Sequence, residues 1–349
     1  VGWCSYPIQE NIENHHLILY AFTMYKVLSD KKAELDQFRP LPPELVTNLE
    51  DWFRVELTYT SNAIEGNTLT RQETALVVEK GLTVRGKTLN EHLEAHNHAK
   101  ALNYIKDLSS KPSSGLSESD ILAIQQLILH GIDDNNAGCY RSVPVRISGS
   151  LVVLPNYVKV PRLMADFVST LQEQADQLHP VALATLAHYE LVTIHPFADG
   201  NGRTARLLMN LILIQNGYPP AIISKRQREA YIKSLEKAQL GGSRADFDKL
   251  IAKAVEKSLT TYLTAAKGED PPQPVNKAQL LKIGELAKLT DQSTSTIRFW
   301  TEKGLLAITS TTDKGYSLYS REQIERVKQI LALKAQRYSL DEIVALLSK

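Results

Sequence analysis

Cysteine is nearly absent from this chain: Cys4 and Cys139 are the only two in 349 residues. Two thiols cannot build a disulfide framework, and without repeated close pairs they do not make a structural zinc site, so they fit a reducing compartment. Long apolar runs are missing too. No stretch is long enough to span a bilayer, and no charged start leads into an apolar segment at the N-terminus, so the sequence reads as cytoplasmic with no membrane partner. An excess of charge is also lacking. The 40 Lys and Arg stand against 39 Asp and Glu, so any affinity for nucleic acid must come from local clustering. There is no internal repeat or low-complexity tract. What is present, 43% hydrophobic and 23% charged residues, is enough for two or three units, each with its own core.

The stretch GEDPPQPVN, Gly268 to Asn276, interrupts helical periodicity with three prolines and two acidic residues and reads as a linker. The expected organisation is a helical N-terminal region over 1–112, a core over 113–267, the linker at 268–276 and a small domain over 277–349. Before the linker the patterns are those of amphipathic helices, as in the apolar spacing of Ile121, Leu122, Ile124, Leu127 and Ile128 behind a cap signal at Ser117 to Asp120. A helix is expected from near Glu44 towards Ser61, behind Pro42 and Pro43. One segment departs from this mainly α reading. Val143 to Pro161 is rich in β-branched residues on both sides of Gly149-Ser150, which predicts two short strands joined by a turn.

The chemistry lies in HPFADGNGRTAR, His195 to Arg206. Pro180 to Ile194 reads as a helix, Pro196 to Gly202 as a tight polar loop, and Arg203 to Gln215 as a second helix. The loop thus opens onto a helix N-terminus, where unpaired N–H groups and the positive dipole end attract anions, and Gly200 and Gly202 carry no Cβ to keep a phosphate away. Arg203 and Arg206 share a helix face and suit successive phosphates. Asp199 offers the hard oxygen that Mg²⁺ takes alongside substrate phosphates. His195, at the end of the preceding helix, can take a proton from an attacking hydroxyl near neutral pH.

This segment resembles the signature of the Fic family, HPFx[DE]GNGRxxR, at every specified position. The resemblance implies a Fic-type helical bundle with a small β-hairpin flap, and nucleotidyl transfer in which AMP passes from ATP, with Mg²⁺, to a protein Ser, Thr or Tyr hydroxyl. His195 would be the base, Asp199 the metal ligand, Asn201 with its neighbouring amides the phosphate cradle, and Arg203 and Arg206 the clamp. Family members with lysine at the place of Gly202 transfer phosphate instead, so the glycine argues for AMP. SNAIEG matches the family's inhibitory pattern [ST]xxxE[GN] at Ser61, Glu65 and Gly66. A Glu65 carboxylate folded against Arg206 would remove the γ-phosphate's partner. The predicted hairpin matches the family's flap, with Val145, Arg146, Ile147 and Ser148 facing the nucleotide and a target adding a β-strand. Tyr231 resembles an adenosine-pocket position, and Gln239 stands where several relatives have Asn.

Residues 281 to 347 are similar to the MerR-type winged helix-turn-helix family. Ile283, Leu286, Ala287, Ile297 and Trp300 can pack two short helices about a turn near Asp291, placing Thr294 to Lys303 on a recognition helix. Thr294, Thr296 and Arg298 on that helix, and Lys314 and Tyr316 in the wing, are the expected DNA contacts. Over residues 275–349 there are 12 Lys and Arg against 8 Asp and Glu, a surplus that agrees with DNA binding without demanding it. The wing departs from the family's GYRxY by having Ser317 in place of arginine. With no long dimerisation helix before Lys349, either paired half-sites are presented by a homodimer formed through the first domain or the module contacts protein instead.

His92, His96 and His98 are spaced like ligands but read as packing residues, since no HExxH accompanies them, and His188 and Cys139 read as structural. Three functions compete at this point. The leading one is an autoinhibited AMP transferase acting on a target protein or itself; the others are a de-AMPylase that uses Glu65 and a nucleotide-sensing transcriptional regulator.

Overall fold

The structure is a computed structural model that describes residues 12–269, 280–312 and 316–347. The chain folds as two compact units, Val1–Glu269 and Asp270–Lys349. The division falls inside the proline-rich stretch, whose residues from 270 onward lie outside the described residues.

Among the described residues the first unit is an array of ten α-helices: α1 (Ile12–Asp36), α2 (Pro43–Ile64), α3 (Arg71–Lys80), α4 (Leu89–Leu108), α5 (Glu118–Leu129), α6 (Val160–Gln174), α7 (Pro180–Ile194), α8 (Asn201–Gln215), α9 (Arg228–Gln239) and α10 (Ala245–Ala266). One apolar core runs through it from Leu28 to Leu263. Local sequence explains several boundaries. Thr70 with Glu73, Thr88 with Glu91 and Ser117 with Asp120 form capping boxes that start α3, α4 and α5, and Gly81 ends α3 in the left-handed region at φ +64°. Pro180 occupies the first turn of α7, where its missing N–H is harmless.

The central element is α8. Its run LLMNLILI is apolar nearly all round, as a helix enclosed by neighbours requires, and Arg203 to Leu213 are buried without a break. α8 begins at Asn201, two residues before the expected start at Arg203, because Gly200 at φ +82° turns the chain directly into it. α2 likewise continues past Ser61 to Ile64.

The segment Val143–Pro161 makes its turn as expected, with Gly149 at φ +75° and the Ser150 N–H bonded to Ile147 O at 3.2 Å. Its two arms do not form paired strands among the described residues, which corrects the expectation of a strand ladder. Pro144 and Pro155 have no N–H to give. The second arm's donors also go elsewhere: Leu151 N–H to Glu236 Oε1 at 3.2 Å and Val152 N–H to Ser150 Oγ at 3.2 Å.

The second unit contains α11 (Ile283–Leu289), α12 (Thr294–Glu302), α13 (Glu322–Ala335), α14 (Leu340–Leu347) and a sheet of β1 (Leu281–Lys282), β2 (Ser310–Thr311) and β3 (Ser317–Tyr319). The strand order is β1-β3-β2, with both pairs antiparallel and Leu281 opposite Tyr319. Leu286, Ile297, Trp300, Tyr319, Val327 and Ile330 form its core. The turn between α11 and α12 passes through Asp291 at φ +53°, at the position the sequence predicts. No helix among the described residues is long and apolar enough to cross a membrane.

Candidate active site

The site is built where α7 stops and α8 starts. His195 caps α7 in the left-handed conformation (φ 51°, ψ 58°), and its N–H closes the helix onto Leu191 O at 2.9 Å. That turn takes the imidazole off the helix axis and into the loop. Its Nδ1 lies 3.4 Å from Val192 O; a proton placed there leaves Nε2 as the acceptor. Burial lowers the His195 pKa below the ordinary 6.5, and the Arg141 charge adds to this, against the opposing pull of Val192 O, Glu65 and Asp199. The ring is therefore neutral at physiological pH, as a base must be.

Asn201 fastens the loop. Its Oδ1 accepts the Phe197 N–H at 2.9 Å and its Nδ2 donates to Phe197 O at 3.0 Å. The side chain expected in the phosphate cradle is thus tied to the loop backbone through one of its two Nδ2 hydrogens, and the main-chain amides at the start of α8 add further anion donors. The first i→i−4 bond of α8 runs from Thr204 N–H to Gly200 O at 2.9 Å. The amides of Asn201, Gly202 and Arg203 precede it and have no carbonyl one turn back within the helix. From α5, Gln125 steadies the loop by donating to Asp199 O at 3.1 Å.

Asp199 is exposed. Its Oδ1 accepts the Gly200 N–H at 2.6 Å, and its Oδ2 pairs with Arg203 Nη2 at 3.0 Å. Each oxygen retains a second lone pair, so this carboxylate fits a magnesium ion that draws its remaining ligands from phosphate and water.

The two clamp arginines differ in their partners. Arg203, buried, spans Asp199 and Glu94 of α4, with Nη1 to Glu94 Oε1 at 3.1 Å. Arg206, also buried, donates from Nη2 to Glu65 Oε1 at 2.6 Å and to Ser61 O at 3.0 Å, and from Nε to Ser61 Oγ at 2.9 Å. Its Nη1 reaches the Tyr231 hydroxyl at 3.3 Å, which in turn meets His188 Nε2 at 2.9 Å. Tyr231 is 1% exposed, so it lies beneath the guanidinium and props Arg206 instead of lining an open adenosine pocket. Gln239 donates to Val192 O at 3.3 Å and Thr193 Oγ1 at 3.2 Å, bracing the end of α7 beside His195.

Glu65 stands at the C-cap of α2, one residue before Gly66, which turns away at φ +106°. A Cβ added at Gly202 would stand 2.5 Å from Glu65 Oε1 and 3.1 Å from Arg206 Nη1. The glycine is therefore what lets the carboxylate reach the arginine across the start of α8.

Above the site, Val145 and Ile147 are half-buried while Arg146 and Ser148 are exposed, the alternation of an extended arm. Sequence reasoning gave no role to Arg141, yet it is 4% exposed and donates to His195 O at 2.9 Å, to Val143 O at 3.4 Å and to Pro155 O. One guanidinium thus ties both feet of the flap to the base. Its place in GCYR, just before the flap, was the available signal.

The remaining sequence candidates separate cleanly. His92 bridges the Val84 N–H and Thr88 O, and His98 meets Thr58, so both hold the fold together. His188 is buried with a pKa lowered to about 3 by burial and by Arg206, whereas Cys139 is exposed and not packed. In the second unit Thr294 and Arg298 are exposed on α12, and Tyr316 is exposed beside β3. Thr296 is half-buried and its hydroxyl meets Ser293 Oγ at 2.8 Å; Lys314 lies outside the described residues.

Residues 115–213 match the family model of the Fic/DOC family, and residues 281–349 that of the MerR HTH family regulatory protein. The chain is 42% identical over 218 residues to protein adenylyltransferase Fic of Drosophila grimshawi, covering 62% of this chain and 44% of that protein. It is 38% identical over 223 residues to protein adenylyltransferase fic-1 of Caenorhabditis briggsae, covering 61% of this chain and 43% of that one. It therefore spans less than half the length of these curated relatives. The crystal structure of a Fic domain containing signaling protein from Bacteroides thetaiotaomicron VPI-5482 superposes with a TM-score of 0.64 at 31% identity, over 70% of this chain and 100% of that one. Fic-1 from C. elegans gives a TM-score of 0.65 at 33% identity, over 75% and 79% of the two chains. With the loop geometry, the fold and the sequence in agreement, the chain belongs to the Fic/DOC family.

Proposed function

We propose that this chain is an autoinhibited protein adenylyltransferase, moving AMP from ATP to a Ser, Thr or Tyr hydroxyl of a target protein or of itself. The observation that carries the reading is the Arg206 guanidinium: it faces the anion-binding start of α8 and is already held by Glu65 at 2.6 Å. The relatives named as protein adenylyltransferases support it.

In the reaction the target hydroxyl oxygen bonds to the α-phosphorus while the bond from that phosphorus to the β-phosphate oxygen breaks. Pyrophosphate leaves with the electron pair, and the hydroxyl proton passes to the neutral imidazole of His195. The amides of Asn201 to Arg203 hold phosphate oxygens, and Arg203 and Arg206 draw off charge as it shifts toward pyrophosphate. Asp199 would hold Mg²⁺, which when bound neutralises phosphate charge. With Glu65 in place, Arg206 is not available to the γ-phosphate, and in-line geometry at the α-phosphorus is lost. A charge-assisted hydrogen bond of about 1.5–3 kcal/mol corresponds to suppression on the order of ten- to a hundredfold.

The test is transfer of label from α-labelled ATP onto the protein by wild type, Glu65→Gly, and Glu65→Gly with His195→Ala. Strong labelling by the single variant alone supports the reading. No labelling by any of them, despite ATP binding, excludes self-transfer and favours the nucleotide-sensing regulator or a transferase that needs a specific target, and release of AMP from an already modified protein favours the hydrolase.

For the second unit the reading is DNA binding by the exposed face of α12, Thr294 and Arg298, with Tyr316 from the wing. Arg298→Ala should weaken a specific, salt-dependent complex by roughly 1–3 kcal/mol if it reads a base edge. An unchanged affinity would assign the module to protein contacts.

A further inference from the structure

The last turn of α2 carries Glu65, so whatever satisfies its carbonyls decides where that carboxylate sits. The final four carbonyls of a helix have no intrahelical donor, and here each finds one. Asn62 O accepts from the N–H groups of Glu65 at 3.0 Å and Asn67 at 3.1 Å, and Ala63 O from that of Gly66 at 3.4 Å. The outer two are taken by arginines from other helices: Ser61 O by Arg206 at 3.0 Å, and Ile64 O by Arg228 Nε at 2.7 Å.

Arg228 is the unexpected member. It is the first residue of α9 and is exposed. A cation in the first turn of a helix works against the macrodipole, so α9 gains nothing from it, whereas the carbonyl end of α2 is where a guanidinium is favoured. The carbonyl it holds belongs to the residue directly before Glu65. We propose that Arg228 is a positioning residue for inhibition: it fastens the end of the inhibitory helix so that the Glu65 carboxylate stays on Arg206. It rests on the proposed inhibitory role of Glu65 and adds a second, solvent-facing fastening whose release weakens inhibition without altering any group that touches nucleotide.

The test joins activity to an exchange measurement that needs no turnover. Arg228→Ala should raise basal self-labelling from α-labelled ATP by roughly three- to tenfold, the lower end of a charge-assisted bond at an exposed site. Arg228→Lys, which keeps a cationic donor, should stay closer to wild type. Adding Arg228→Ala to Glu65→Gly should change nothing, since there is no carboxylate left to position. In parallel, amide exchange at Glu65, Gly66 and Asn67 should quicken in Arg228→Ala. Unchanged exchange at these amides overturns the fastening outright. An equal rise in labelling with and without Glu65 overturns the route through Glu65. If Glu65→Gly itself fails to label, self-transfer falls, while exchange still decides the fastening.

Discussion

The loop over 195–206 and the flap meet at His195, whose carbonyl Arg141 holds, and they are held in opposite ways. Residues 195–206 are locked largely by their own neighbours: Asn201 on Phe197, Asp199 on Gly200, Arg203 on Asp199. The flap is held at its feet by Arg141 and at its turn by Glu236, whose Oε1 accepts from Ser150 Oγ at 2.7 Å. Between these points Leu151 and Val153 are 81% and 93% exposed. On the proposed reading, groups that would meet a phosphorus atom to within fractions of an ångström are fixed by short-range contacts, while the segment that would meet a protein partner is pinned at a few points and keeps bare apolar side chains.

The largest effect is expected at the base. With Glu65→Gly as the active background, His195→Ala should lower transfer by roughly a hundred- to ten-thousandfold with ATP affinity little changed; a loss under tenfold would remove His195 from the proton transfer. Next comes Asn201→Ala, which frees the Phe197 backbone and should cost about 1–3 kcal/mol of stability together with a fall in kcat. Glu236→Ala should act on the other side of the comparison, raising the KM for a protein target by a few-fold at constant kcat. If Asn201→Ala and Glu236→Ala both strike kcat alike, the loop and flap are not divided as described.

The catalytic effect of pH is the smallest. The lowered pKa of His195 places the acid limb of the rate profile below 6.5. A limb above that value would contradict the buried, neutral ring. The fold itself carries a related signature. His98 and His188 have pKa values lowered to about 3, in both cases chiefly by burial. The unfolded chain takes up protons from about 6.5 downward while the folded one does not, so the stabilisation is complete above 6.5 and is lost as pH falls towards 3. Well below 6.5 each histidine contributes a slope of about 1.4 kcal/mol per pH unit. Denaturant unfolding at pH 7 and pH 5 checks it, and His188→Gln should flatten the dependence.

The elements that follow local rules were open to reading: α7 matches its expected span, the αL turn falls at Asp291, and His195, Asp199, Arg203 and Arg206 come from one contiguous motif at the junction of α7 and α8. Glu65 was legible because its partner motif gave the short pattern SNAIEG a meaning. Other features depend on partners far along the chain. Nothing local shows that Arg141 will reach His195 and Pro155, that Tyr231 will lie under Arg206, or that Arg228 will find Ile64. Asn201 was read from the motif as part of the phosphate cradle, and nothing local shows that its amide will also fasten the Phe197 backbone at both ends. The strand ladder failed for a related reason: β-branched content describes extended backbone well, yet pairing also needs donors, and those of the flap are removed by proline or turned to Glu236.

On the proposed reading, the missing Cβ at Gly202 sets the terms on which the site is closed. A Cβ built there would stand 2.5 Å from Glu65 Oε1, so the contact that silences Arg206 would pass through the space of a single hydrogen atom at the start of α8. A side chain there would have to push the Glu65 carboxylate aside or crowd the phosphate site, so on that reading any substitution of Gly202 would loosen the closed arrangement and reshape the anion site in the same step.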